Sequence, residues 1–273
     1  MNIGSNTVMP YCCLVDEPRT RLFQKAIEQT VKPGDVVLEG GAGTGILSFV
    51  AARAGARKVV AVEIDPVVAA YLRKNARANG FEDVIEVIEG DVRTVTLDQP
   101  ADVFIGEMIE TGLMDEMQVP AINALRESGA IGAATQMIPF RYRTFIELGA
   151  FPFNYYGFDI KFPVHDWSGA YQDKFRACSV KRLVDDVDFR QTNAFRVDKT
   201  ISLTPKRSGT VNAIALSGFA HLREGLVAGE STSINGRKII PIDELRVKQG
   251  QTVKLRVTYE MGHGMGTLQV GPA

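Results

Sequence analysis

Val36-Val37-Leu38-Glu39-Gly40-Gly41-Ala42-Gly43-Thr44-Gly45 is the stretch whose reading decides the fold. An apolar run ends in an acid, glycines alternate, and the apolar Ile46-Leu47-Ser48-Phe49-Val50 follows. That order predicts a strand, a glycine turn and a helix. Gly41 and Gly43 let the backbone turn sharply and approach a ligand closely. Glu63 ends a second apolar run, Val59-Val60-Ala61-Val62. It stands where the ribose-binding acid of a nucleoside-binding βαβ unit belongs.

The charge of the ligand follows from the acid before the turn. Dinucleotide sites place a pyrophosphate at the helix N-terminus. Glu39 at the strand tip repels a phosphate and attracts a cationic amino group. A nucleoside with a ribose diol, no phosphate and a positive amino-acid tail is S-adenosylmethionine. The stretch resembles the first motif of class I methyltransferases, V-L-D/E-x-G-x-G-x-G. The competing reading is a glycine turn with a phosphate-free or vestigial site.

Composition sets the bounds. The 273 residues suffice for one large or two modest domains with a real core. Hydrophobic content of 45%, charged content of 23% and a net charge of −1 are ordinary for a globular protein. They give no general reason to bind nucleic acid, though a local basic groove stays open. Cys12, Cys13 and Cys178 lack metal-ligand spacing, and their odd number suits a reduced compartment. His165, His221 and His263 form no metal motif, so no metal is expected. Neither a signal peptide nor a membrane-spanning run is visible, and a cytoplasmic enzyme is the expectation.

Outward from the turn, residues 1–15 carry little pattern and are expected to be irregular. Arg19 to Gln29 reads as a helix with Leu22, Phe23, Ala26 and Ile27 on one face. Lys58 to Glu63 is the second strand. Asp65-Pro66 opens a helix that turns Val67, Val68, Tyr71, Leu72 and Ala76 inward. Val84 to Glu89 is a third strand, Asp102 to Ile105 a fourth, Val119 to Leu125 a helix and Ala130 to Gln136 a further strand. This alternation implies a doubly wound parallel sheet whose ligand crevice lies at the carboxyl ends of its strands. Glu39, Glu63, Asp91 and Glu107 all fall at such ends. Near Pro139 the period changes to two: Phe140 to Leu148, Phe195 to Leu203, Val211 to Phe219 and Val253 to Tyr259 alternate as antiparallel strands. The segment 161–190, with Trp167, Tyr171 and Phe175, is less regular. The expected fold is an α/β Rossmann-like domain over 1–138 followed by a β-barrel-like antiparallel β domain over 139–273.

After the fourth strand comes Gly106-Glu107-Met108-Ile109-Glu110-Thr111-Gly112-Leu113-Met114-Asp115-Glu116-Met117. Glu107 and Glu116 are nine positions apart, with Gly112 free to bend between them. Two convergent carboxylates grip a guanidinium well, because its planar fork donates in pairs. They leave one nitrogen free to attack, and most of the rate comes from positioning and desolvation. Asp115 and Glu116 also precede a helix, where acids are favoured for purely structural reasons.

This loop resembles the double-glutamate loop of the protein arginine methyltransferases, with the same spacing. Asp16-Glu17-Pro18-Arg19-Thr20 resembles that family's segment in which an arginine binds the cofactor carboxylate. Tyr156-Gly157-Phe158-Asp159 and Thr192-Asn193-Ala194 resemble short segments of its barrel. The resemblance runs from about Asp16 nearly to the C-terminus. It implies S-adenosyl-L-methionine as cofactor, with Arg19, Glu39, Gly41, Gly43, Glu63, Asp91 and Val92 around it. It implies Glu107 and Glu116 as the catalytic pair, a Rossmann-like domain followed by a barrel with the active site between, and a possible homodimer formed through an arm near 161–190. Three departures stand out. Tyr11 is the only tyrosine before Asp16, where the family has several. The stretch Ser231-Thr232-Ser233-Ile234-Asn235-Gly236-Arg237-Lys238 lacks the family's Thr-His-Trp, whose histidine pairs with an acid near the position of Asp16. Glu110 stands where the family has glycine.

The leading expectation is an N-methyltransferase acting on a guanidine or amine nitrogen of a protein, peptide or small molecule. The first alternative is an RNA methyltransferase, with Arg141, Arg143, Lys206, Arg207, Arg237 and Lys238 as its scattered basic residues. The adenine- and cytosine-methylating enzymes commonly carry Asn/Asp-Pro-Pro-Tyr after the fourth strand, and Gly106-Glu107-Met108-Ile109 is not that motif. The second alternative is a non-catalytic scaffold that binds S-adenosylmethionine.

Overall fold

The computed structural model describes residues 7–166, 174–231, 233 and 235–273. Trp167 and Tyr171, noted in the irregular segment, lie outside the described residues, as do Thr232 and Ile234.

The first described elements are α1 (Val8–Val15) and α2 (Glu17–Thr30), joined at Asp16. Asp16 caps α2 by accepting the Arg19 N–H at 3.2 Å. The buried stripe of α2 is Arg19, Phe23, Ala26, Ile27 and Thr30, at helical spacing with one charged member. Residues 8–15 were expected to be irregular and are helical. The sequence VMPYCCLV is apolar around its whole circumference, so it carries no stripe for a periodicity argument to find.

A parallel sheet follows. It contains β1 (Val36–Gly40), β2 (Lys58–Glu63), β3 (Ile85–Glu89), β4 (Val103–Gly106) and β5 (Gln136–Ile138), in the order β3-β2-β1-β4-β5. Three helices, α3 (Ile46–Arg53), α4 (Pro66–Ala78) and α5 (Gln118–Glu127), make crossovers. The order reverses beside β1, and the carboxyl ends of β1, β2 and β4 share one edge: Glu39 pairs with Ala61 and Ile105, Gly40 with Val62 and Gly106. That reversal is the crevice where doubly wound sheets bind ligands. Val37, Leu38, Val59, Phe104 and Ile105 are fully buried, as strands covered on both faces require.

Two expectations need correction here. Val67 and Tyr71 were expected to face inward, yet they are 42% and 59% exposed. The buried stripe of α4 is Val68, Ala69, Leu72 and Ala76, so Val68, Leu72 and Ala76 face inward as expected, and Tyr71 lies beside Lys74 instead. The strand expected over Ala130 to Gln136 is confined to Gln136–Ile138. Gly132 and Thr135 form a turn, with the Gly132 N–H donated to Thr135 Oγ1 at 2.9 Å.

From β6 (Arg141–Ala150) onward the strands pair antiparallel. After β6 come β7 (Asn154–Tyr155), β8 (Phe158–Asp159), β9 (Val164–Asp166), β10 (Arg176–Ala177), β11 (Arg182–Asp188), β12 (Arg196–Leu203), β13 (Gly209–Arg223), β14 (Leu226–Ala228), β15 (Arg237–Val247), β16 (Val253–Glu260) and β17 (Gln269–Pro272). One sheet runs β10-β6-β13-β15-β9, with β11 on β6 and β14 on β13; a second runs β12-β16-β17. Their inward side chains, Tyr142, Ile146, Leu148, Leu203, Leu216, Val257 and Tyr259, continue the core begun under the parallel sheet. The architecture is a Rossmann-like α/β half followed by a barrel-like antiparallel half. No helix among the described residues is long and apolar enough to cross a membrane.

Candidate active site

The glycine turn adopts backbone angles that side chains disfavour. Gly41 and Gly45 have φ of +68° and +85°. A Cβ on Gly41 would lie 2.8 Å from Met108 Cγ, and one on Gly45 would lie 1.9 Å from Leu72 Cδ1. Glycine is therefore required both by conformation and by space. The Gly43 N–H is donated to Glu63 Oε2 at 2.7 Å, and the other Glu63 oxygen accepts the Asp65 N–H at 2.8 Å. Glu63 thus ties the turn to the end of β2.

A cavity of about 340 Å³ opens over this turn. Arg19, Glu39, Gly41, Gly43, Glu63, Glu107 and Glu116 all line it, together with Asp115, Met108, Met117 and Ser233. Of the residues expected around the cofactor, Asp91 and Val92 do not. Asp91 caps a short 3₁₀ turn through the Arg93 N–H and binds the Arg93 guanidinium. Val92 packs beneath the turn, its Cγ2 3.1 Å from where a Cβ on Gly40 would sit. One side of the cavity is closed by α1, through Met9, Pro10 and Cys13.

Arg19 reaches from α2 to Glu107 at the end of β4, and both side chains are almost wholly buried. Its Nη1 donates to the Cys13 carbonyl at 3.2 Å, while its buried Nε has no hydrogen-bond partner among the described residues. Glu39 accepts a hydrogen bond from the buried Ser48 hydroxyl of α3. Burial pushes the Glu39 carboxyl up to about 8, against the opposing effects of Ser48 and Arg19. Burial likewise raises Glu107, with Arg19 working against it. It lifts Glu116 to about 8, reinforced by the charges of Glu107 and Glu110. The Cys13 thiol goes up to about 12, chiefly by burial and then by the neighbouring Glu107. The Glu116 carboxylate has no hydrogen bond or ion pair among the described residues.

The loop from Glu107 to Met117 is stitched to the antiparallel half. The Thr111 hydroxyl donates to the Gly236 carbonyl at 2.9 Å, and the Gly262 and Gly264 N–H groups reach the Leu113 and Met114 carbonyls. At the loop's start Gln118 accepts the Met108 N–H at 3.1 Å and donates to the Gly106 carbonyl at 3.0 Å. Glu110, the acid that replaces glycine, is buried against Lys238 of β15. The loop at 231–238 lacks a histidine, but Ser231 Oγ and Ser233 Oγ donate to Asp16 Oδ2 at 2.6 and 2.7 Å. Burial works against the charged form of Asp16, yet these bonds and the Arg19 N–H hold its carboxyl below the usual range. Sequence reasoning missed Ser48, Gln118 and Lys238. The available signals were a polar residue within an apolar helix and a lysine flanking Ile239-Ile240 on an alternating strand.

Comparison with known proteins agrees with this geometry. The TRM5/TYW2 methyltransferase domain matches residues 17–136. An uncharacterised protein of Methanocaldococcus jannaschii, MJ1452, is 33% identical over 262 residues and 95% of each chain. The chain belongs to the family of MJ1452, among the class I S-adenosylmethionine-dependent methyltransferases related to the arginine methyltransferases. An arginine N(omega)-methyltransferase of Streptomyces achromogenes subsp. streptozoticus is 35% identical over 122 residues, 43% of this chain but 34% of its own. In structure the methyltransferase is similar to a chain of the Trypanosoma brucei PRMT1 enzyme–prozyme heterotetramer solved with AdoHcy. The TM-score is 0.77 at 22% identity, over 92% of this chain and 87% of that one, which shows the shared fold. The protein is thus an S-adenosylmethionine-dependent enzyme, which removes the non-catalytic scaffold reading.

Proposed function

We propose that the enzyme methylates a guanidine or amine nitrogen, with Glu107 and Glu116 as the groups that receive it. The observation that carries this reading is Glu116: a carboxylate without a partner among the described residues, facing a cavity that Glu107 and the glycine turn share. In this reading residues 1–138 hold the cofactor and residues 139–273 complete the substrate site.

The residues present fit the cofactor. The unpartnered Arg19 Nε suits a carboxylate, Glu63 suits a ribose diol, and the bare backbone at Gly41 and Gly43 admits close contact. Glu39, below the turn, offers a buried carboxyl that ionises when an ammonium comes beside it, and Val92 supports the turn from outside the cavity. Bound S-adenosylmethionine supplies an electrophilic methyl group. The chain's own residues then do the rest. Glu107 and Glu116 accept N–H bonds from the incoming nitrogen group and fix its orientation. Met108, Met117 and Met9 exclude water, which strengthens those contacts. A cation entering the site also displaces the proton that burial holds on Glu116 at neutral pH.

The name of the Streptomyces relative gives arginine as its substrate, which favours a guanidine here. A second reading, an RNA nitrogen, draws on the TRM5/TYW2 match. Against it, four of the six basic residues named for it are in ion pairs with the protein's own acids: Arg141 and Arg143 with Asp186, Arg237 with Glu230, and Lys238 with Glu110 and Asp115; Lys206 and Arg207 stay exposed. The deciding experiment incubates the enzyme with methyl-labelled cofactor and free arginine, an arginine-rich peptide or total RNA, followed by mass spectrometry. Label on arginine or the peptide supports the first reading; label on RNA alone replaces it with the second. We also propose a homodimer, on the family resemblance alone; a monomer in sedimentation velocity contradicts it.

A further inference from the structure

Glu107, Glu110, Asp115 and Glu116 crowd four carboxylates into one loop. Among the described residues, the cations bonded to them are Arg19, on Glu107, and Lys238, on both Glu110 and Asp115. Lys238 comes from the antiparallel half. On β15 it pairs in register with Leu216 of β13 and His165 of β9, which aims its side chain inward beneath the loop. Its side chain has 0% exposure. Lysine is almost never buried so completely unless it is paired.

The contacts show what the pairing does. The ammonium reaches the Glu110 carboxylate and lies 2.8 Å from Asp115 Oδ2. Asp115 Oδ1 accepts the Met265 N–H at 2.6 Å, and the Asp115 N–H is donated to Glu110 Oε1 at 2.8 Å. Asp115 is therefore fixed at both oxygens and at its backbone nitrogen. Glu116 is the next residue, and its carboxylate is the one left facing the cavity without a bond.

We propose that Lys238 is the positioning residue of this loop: it pairs with Glu110 and Asp115, anchors the backbone at Asp115, and so leaves Glu116, beside Glu107, to the incoming nitrogen. This rests on the reading that Glu116 receives the substrate. The groups facing Glu116 are Glu107 at the end of β4, Glu110 and Asp115 in the loop, Arg19 on α2 and Cys13 on α1. The three carboxylates favour its protonated form and Arg19 opposes them. Behind them His165 is kept neutral, down to about 4, by burial and by Lys238. Without Lys238, Asp115 loses its counter-ion beside Glu116, and Glu110 loses the ammonium that favours its charged form.

The test is the titration of Glu116, followed by ¹³C-carboxyl NMR of the full-length protein labelled in glutamate, with the resonance assigned by its loss in Glu116→Gln. In Lys238→Met the midpoint moves up by about one pH unit or more, because the cation that offsets the neighbouring acids is gone; in Lys238→Arg, which keeps the charge, it stays. A folded Lys238→Met with an unchanged midpoint overturns the proposal. Should Lys238→Met fail to fold, Glu110→Gln/Lys238→Met leaves neither buried charge unpaired. That variant keeps its calorimetric affinity for S-adenosylmethionine and transfers methyl to free arginine or an arginine-rich peptide about tenfold more slowly or worse, because Asp115 is released. Wild-type transfer in that variant overturns the proposal. Full transfer by Glu116→Gln, by contrast, removes the substrate reading itself, an outcome separate from either result on Lys238.

Discussion

Arg19 and Glu107, 88 residues apart in sequence, form a buried ion pair that joins α2 to the end of β4 across the cavity. The pair leaves Arg19 Nε, which has no hydrogen-bond partner among the described residues, beside the cavity over the glycine turn. Arg19→Met therefore loses a charge-assisted contact to the cofactor, of about 1.5–3 kcal/mol. Calorimetry should show S-adenosylmethionine binding weakened by about tenfold to a hundredfold. Unchanged affinity in the folded variant removes Arg19 from the cofactor site.

Asp16 gives the protein an acid limit. Its carboxyl is held below the ordinary range, so it contributes stability that is present above the unfolded value and lost as pH falls through the folded one. Thermal melts below about pH 4 should show this loss. In Ser231→Ala/Ser233→Ala the acid-dependent part of the melt shrinks, and stability at neutral pH falls by about 1–3 kcal/mol from the abandoned carboxylate. Identical melting curves for wild type and the double variant, acid range included, contradict this role.

Glu39, Glu110 and Glu116 work in the opposite direction. Burial lifts Glu39 and Glu116 to about 8 and Glu110 to about 7. Their folded-state values lie above the unfolded value, so the native protein binds more protons and stability falls with rising pH. The melting temperature of the ligand-free enzyme should decline from about pH 5 to about pH 8. In Glu39→Gln the decline should be shallower. A melting temperature flat across this range argues that these acids ionise as freely in the fold as outside it.

Much of this was legible in the sequence, and the failures have physical causes. Val36 to Val50 declared a strand, a turn and a helix because glycine at Gly41 and Gly45 is demanded by geometry that few other residues satisfy. Glu107 and Glu116 could be read from their spacing, since a loop must bring them to one edge of the sheet. Helix α1 was invisible because it is apolar all round and has no buried stripe; its place is set by the cavity it borders, a tertiary contact. Lys238 looked like one more surface base. Its partners Glu110 and Asp115 are more than a hundred residues away, and no local pattern records such a pairing. The serines at 231 and 233 looked like the loss of a histidine, yet their hydroxyls bind Asp16 directly.

The glycine turn offers a test of packing. Gly45→Ala forces a Cβ into Leu72 at a residue with positive φ. Overpacking of this kind costs about 1–3 kcal/mol, and the left-handed conformation adds about 1–2 kcal/mol. Urea unfolding should show the sum, with α4 displaced and cofactor affinity reduced. A variant as stable as wild type would mean that Leu72 moves aside freely.

The central claim is that the carboxylates of Glu107 and Glu116 hold the nitrogen that is methylated. The most direct measurement is methyl transfer from labelled S-adenosylmethionine by Glu116→Gln, set beside its calorimetric affinity for the cofactor. The account predicts cofactor binding close to wild type and a loss of about a hundredfold or more in transfer to the acceptor. Wild-type transfer by the folded Glu116→Gln protein would contradict it.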